Sequence, residues 1–126
     1  MKIAVCAQGE ELNAQTDQRF GRCPYFVLVN PENETAFESV RNDNANASGG
    51  AGPQSAQLLS NYGVEAVITG NVGPKAEQAL QAAGIIIYRG TGGTVGENIR
   101  KYKEGSLKTV SSATVPGHSG LNKGKG

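Results

Sequence analysis

The sequence predicts an α/β domain: a five-stranded mixed sheet in the order 3-2-1-4-5, with strand 2 antiparallel and helices on both faces. Three observations carry this reading. The apolar runs fall in the order βββαβαβα, the first three strands lie close enough in sequence to form an antiparallel meander, and each later βαβ crossover should be right-handed.

Lys2–Cys6 (KIAVC) is a short apolar run that opens into a long polar loop, Ala7–Arg22. Tyr25–Asn30 (YFVLVN) is a second strand closed by Pro31, and Asn33-Glu34 make a turn. Thr35–Arg41 alternates as a hairpin partner should. Asn42–Gly52 (NDNANASGGAG) is a loop with no side chain larger than asparagine or aspartate. Pro53 then suits a first helical position, Ser55, Leu58, Leu59 and Tyr62 fall at helical spacing, and Gly63 is a natural stop, which predicts a helix over 53–62. Glu65–Thr69 is a buried strand leading into Gly70–Gly73. Pro74 opens a helix over 74–83 with Ala76, Ala79, Leu80 and Ala83 on one face, and Gly84 ends it. Ile85–Arg89 is the fifth strand and leads into Gly90–Gly93. Thr94 and Glu97 have capping-box spacing ahead of a helix over 95–104, with Val95, Ile99 and Tyr102 as its apolar stripe and Gly105 as its stop. Residues 1–110 are thus read as one domain and 111–126 as a flexible Ser/Gly/Lys-rich tail. This strand order is the ribonuclease H-like arrangement.

Composition excludes several functions. A chain of 126 residues fits one domain, and its net charge of +1 is too small to drive general nucleic-acid binding. No apolar run approaches the roughly 20 residues needed to span a bilayer. The MKIAVC start lacks a leader's apolar stretch, which predicts a cytoplasmic protein without a membrane partner. Two cysteines, Cys6 and Cys23, cannot build a disulfide framework, and no CxxC or HExxH spacing points to a zinc site.

The candidate site lies where ligands gather in such sheets, at the carboxyl ends of the parallel strands. Three of the four loops expected there are glycine-rich and precede helix N-termini, which carry partial positive charge and suit an anion. Gly49, Gly50, Gly52, Asn71 and Gly73 are candidates for backbone contacts, with Ser48 beside them. The loop after strand 1 delivers Arg19, Phe20, Gly21, Arg22 and Cys23. Two guanidiniums would donate charge-assisted hydrogen bonds, and Cys23 offers a soft sulfur ligand for iron, copper or molybdenum. Cys6, at the end of a buried strand, is either a second metal ligand or a core residue. His118 sits in the tail and enters no site.

Arg19–Phe26 (RFGRCPYF), Asn42–Gln54 (NDNANASGGAGPQ), Gly70–Pro74 (GNVGP) and Gly92–Glu97 (GGTVGE) together resemble the dinitrogenase iron–molybdenum cofactor biosynthesis family, of NifX and NifB C-terminal type. The resemblance runs from Met1 to about Leu107. It implies a ribonuclease H-like fold and binding of an iron–molybdenum cofactor, its iron–sulfur precursor or a mixed molybdenum–copper sulfide. Several members carry histidine in the Gly-Ala-Gly loop, whereas this chain has Asn46, Ala47 and Ser48 there. Binding would then rest on Cys23, Cys6, Arg22 and backbone amides.

The expected function is therefore a non-catalytic carrier of an anionic metal–sulfur cluster, partnered by a cofactor-maturation protein or an ATPase. The alternative is an adaptor, or a module for a small anionic ligand without metal; no GxGxxG or GxxxxGK[ST] follows a strand to support a nucleotide. A nuclease would need clustered carboxylates, and strand 1 carries none. Gln8–Gln18 and Asn42–Gly52 are expected to be the least ordered loops, since few apolar side chains hold them down.

Overall fold

The computed structural model describes residues 1–46 and 49–110. Its elements are β1 (Ile3–Ala7), β2 (Tyr25–Asn30), β3 (Asn33–Arg41), α1 (Ala51–Asn61), β4 (Ala66–Thr69), α2 (Pro74–Ala82), β5 (Ile86–Arg89), α3 (Val95–Lys103) and β6 (Thr109–Val110). The sheet order is β3-β2-β1-β4-β5-β6. The five expected strands take their expected order, and β2 runs antiparallel to both β1 and β3. The sheet has six strands rather than five, however. The chain after α3 turns back and adds β6 antiparallel to β5, pairing Val110 with Ile87 and Thr109 with Tyr88. The physical reason is that β5 would otherwise be an open edge, and an edge strand leaves a row of unpaired N–H and C=O groups. The expected tail, 111–126, lies outside the described residues.

Strand β1 is the centre of the core, with all five of its residues fully buried. Because successive side chains point to opposite faces, Ala4 and Cys6 meet Phe26, Leu28 and Val67 under α1 and α2, which contribute Leu59 and Leu80. Ile3, Val5 and Ala7 meet Val27, Val29 and Ile68 on the other face, where α3 contributes Val95 and Ile99. Helices therefore cover both faces, as the patterning predicts. Gly63, Gly84 and Gly105 each follow their helix with positive φ, the conformation that ends a helix at least cost for glycine. Among the described residues no helix is long and apolar enough to cross a membrane.

The loop 8–18 makes more backbone contacts than its polar sequence suggests. It is pinned by backbone bonds: Thr16 N–H donates to Gly93 O at 2.9 Å, Val95 N–H to Ala14 O at 2.9 Å, and Gly96 N–H to Leu12 O at 2.8 Å. These carbonyls satisfy amides at the start of α3 that would otherwise lack partners. Leu12 and Ala14 also pack against the core cluster on the α3 face.

Helices α1 and α2 pack closely because the second residue of α1, Gly52, has no side chain. A Cβ added at Gly52 would lie 2.7 Å from the Ala76 Cβ. Gly52→Ala should therefore push the two helices apart and cost about 1–3 kcal/mol. Urea unfolding checks this, and Ala76→Gly should recover part of the loss; an additive double variant would show that the two positions do not meet.

Candidate functional site

The segment 17–24 folds across the carboxyl ends of β1 and β4. Asp17 N–H donates to Cys6 O at 2.9 Å, Asn71 N–H to Gln18 O at 2.6 Å, and Phe20 N–H to Asn71 O at 3.1 Å, so Arg19 bridges to Asn71 as a short parallel pair. Phe20 plugs the segment into the core against Phe26, with ring centroids 5.7 Å apart. Gly21 has φ +90, and a Cβ there would meet Gly52 Cα at 3.0 Å. Gly21 and Gly52 thus serve close backbone packing. Gly49 and Gly73, by contrast, face open space.

Asn42 joins this segment to the next loop. Its Nδ2 donates to Gly21 O at 3.1 Å and Cys23 O at 2.9 Å, while its Oδ1 accepts from Asn44 N–H and from Ser55 Oγ, both at 3.2 Å. The side chain of Arg22 is exposed and donates from Nη1 to Ala45 O at 3.0 Å, so it too reaches the 42–50 loop.

Asp17 and Arg19 form a two-pronged ion pair at this edge. The Asp17 carboxylate is buried and accepts from Arg19 N–H at 2.9 Å, Nε at 3.1 Å and Nη2 at 3.0 Å. The Arg19 side chain remains 65% exposed. Burial works to raise the Asp17 pKa, but the Arg19 hydrogen bonds and charge outweigh it and hold the carboxyl below its ordinary value.

Both thiols lie beneath this surface, 0% exposed and in the core cluster of the α1/α2 face. Burial pushes the Cys6 thiol well up, and the adjacent Cys23 thiol adds to the effect. The buried Thr69 hydroxyl stands beside Cys6 and has no well-formed hydrogen bond. Among the described residues no three His, Cys, Asp or Glu side chains gather as a metal-holding group.

Of the residues the sequence singles out, the structure leaves Arg19, Arg22, Gly49, Gly50, Asn71 and Gly73 exposed on this edge and buries Phe20, Gly21, Cys6 and Cys23 beneath it. Gly52 is half-buried at the start of α1, and Ser48 lies outside the described residues. The caps of α1 and α2, Gly50 and Gly73, supply no side-chain hydrogen bond. Helix α3 differs: Thr94 and Glu97 form the expected capping box, so its N-terminus is closed. Asn98 also ties down the Gly90–Gly93 loop, donating to Gly92 O at 2.7 Å and accepting from Thr91 N–H at 3.0 Å. A groove of about 460 Å³ lined by Gln81, Gly84, Ile85, Ile86, Ile87, Thr109 and Val110 lies at the opposite end of β5. Sequence reading missed Asp17 and Asn42. The only available signals were an aspartate two residues before an arginine and an asparagine closing a strand.

These features define a small α/β domain with a basic, glycine-rich edge at the carboxyl ends of its parallel strands. The chain belongs to the dinitrogenase iron-molybdenum cofactor family, whose profile matches residues 1–105. An uncharacterised protein of Methanocaldococcus jannaschii is 36% identical over 110 residues, covering 86% of this chain and 90% of that one. The apo form of the orange protein of Desulfovibrio gigas superposes with a TM-score of 0.83 at 40% identity, over 87% of this chain and 92% of that one. An NMR structure of a Thermotoga protein assigned as NifB gives a TM-score of 0.75 at 39% identity, over 86% and 91%.

The Asp17–Arg19 contact carries a pH signature. A carboxyl whose folded pKa is depressed stabilises the fold fully above its unfolded value, near 4, and that contribution disappears as pH falls through the folded pKa. Asp17→Asn should lose about 1–3 kcal/mol at neutral pH. Its stability should fall less steeply than wild type below about pH 4. Urea midpoints from pH 7 to pH 2.5 test this; parallel curves would mean that Asp17 titrates alike in both states.

Proposed function

We propose that this chain is a non-catalytic carrier of an anionic metal–sulfur cluster: the iron–molybdenum cofactor, its iron–sulfur precursor or a related molybdenum cluster. One observation carries the reading. Two exposed guanidiniums, Arg19 and Arg22, share one sheet edge with the starts of α1 and α2, neither of which has a side-chain cap. Such an edge presents positive charge and amide donors toward an anion. Family membership supports a cofactor-related role, and the Desulfovibrio gigas neighbour is an apo form of a protein named for its colour.

The cluster is cargo here, and the donor set fits it in a particular way. With Cys6 and Cys23 fully buried, the outward-facing donors are N–H groups. We therefore read the cluster as held by charge and hydrogen bonds over Arg19, Arg22, Gly49, Gly50, Asn71 and Gly73, with the thiols below it. The two buried thiols suit a reducing, cytoplasmic setting, and a maturation partner or ATPase would exchange the cargo. The sheet without β6 is read as the ribonuclease H-like arrangement. A small anion without metal would fit the same edge, and colour separates the two readings.

The test is anaerobic reconstitution with iron and sulfide, with and without molybdate, followed by visible spectra and metal analysis. Wild type should acquire visible absorption and bound metal. Arg22→Ala should bind roughly tenfold more weakly, the loss expected for one charge-assisted contact. Cys23→Ser should retain its cluster. Loss of the cluster in Cys23→Ser would make that thiol a ligand and require segment 17–24 to open. A wild type that takes up no metal–sulfur species ends the carrier reading.

A further inference from the structure

We propose that Asp17 is a positioning residue that makes Arg19 a fixed two-pronged receptor, so that the site reads paired acceptor atoms on its anion and not charge alone. This inference rests on the anion-carrier reading and specifies how one of its contacts works. A guanidinium has five N–H donors in one plane. Asp17 takes the side edge, through Nε at 3.1 Å and Nη2 at 3.0 Å. Among the described residues the remaining donors of Arg19, the Nη1–Nη2 end, have no protein partner. That end projects from a side chain 65% exposed, while the anchoring carboxylate is 3% exposed.

The anchor is itself fixed. Arg19 N–H donates to the same carboxylate at 2.9 Å, and Asp17 N–H is held by Cys6 O on the central strand. An exposed arginine without such a partner would sample many rotamers and lose that freedom on binding. Here the loss is already made in the free protein, and the outward fork keeps one orientation. Two parallel N–H groups match two acceptor atoms on one face of a ligand, whether sulfides of a thiometallate or oxygens of a carboxylate.

The proposal separates from simple electrostatics by sign. Asp17→Asn removes a negative charge beside the site, so charge alone predicts tighter anion binding. Positioning predicts weaker binding, by roughly tenfold. Tetrathiomolybdate, a coloured molybdenum–sulfur anion, serves as probe, titrated anaerobically and read by its absorption and by equilibrium dialysis.

A merely structural role would weaken binding in any background, so a double-mutant cycle is needed. In an Arg19→Ala background, Asp17→Asn should cause no further loss. Arg19→Lys keeps the charge but not the fork, and should bind clearly more weakly than wild type, by roughly tenfold. Because Arg19 is exposed, that pair stays informative even if Asp17→Asn folds poorly. The inference is overturned if Asp17→Asn binds as tightly as wild type or tighter, if it weakens binding equally in both backgrounds, or if Arg19→Lys keeps full affinity. A wild type that binds neither tetrathiomolybdate nor a reconstituted iron–sulfur species overturns the carrier reading and this inference with it.

Discussion

The Asn42 side chain directs both amide hydrogens at carbonyls of the 17–24 segment and receives hydrogen bonds from its own loop and from α1. That uses two donors and two lone pairs, the full capacity of the group. A buried amide pays a desolvation cost unless it is bonded, so only a fold that brings Gly21, Cys23, Asn44 and Ser55 together can accommodate it. The remaining features of the edge follow from this constraint. Gly21 can then lie on Gly52 and Phe20 can insert beside Phe26, while Arg19 emerges at the surface next to Asn71.

Most of the architecture is legible in the sequence because glycine and proline mark where each element stops and starts. Pro74 opens α2, and Thr94 with Glu97 caps α3. Strand β6 is illegible for a physical reason: two residues, Thr109 and Val110, are too few to show alternation. The pinning of loop 8–18 is hidden for another reason, since its backbone bonds to residues 93–96 leave no trace in side-chain pattern. At the site, the exposed arginines and glycines could be named from their residue types. The burial of Cys23 could not, because a cysteine after a polar loop serves equally as ligand or core until the path of residues 19–24 is known.

The electrostatics of the edge are more balanced than its arginines suggest. Arg19 is paired with the Asp17 carboxylate, whereas Arg22 donates to the neutral Ala45 carbonyl and keeps its charge, so the edge carries a modest positive charge in a protein of small net charge. Such an edge attracts anions weakly at long range and selects them at contact, where oriented donors replace lost hydration. Long-range attraction would bring any polyanion; contact selection favours one whose acceptor atoms fit the donors.

On the carrier reading, the buried thiols acquire a role through being withheld. A thiolate is a strong ligand for iron and molybdenum and would compete with the sulfides of a bound cluster. Covalent ligation makes a good resident site and a poor carrier, because release must then break metal–sulfur bonds. Burial keeps Cys6 protonated and out of that competition, and Cys23 lies in the same apolar cluster. The sheet edge is thus soft beneath and cationic above, and on this reading only the upper layer would meet the cargo. A cluster held by N–H groups alone can leave intact when a partner offers a thiolate or histidine ligand, so the direction of transfer is set by the difference in chemistry between the two proteins.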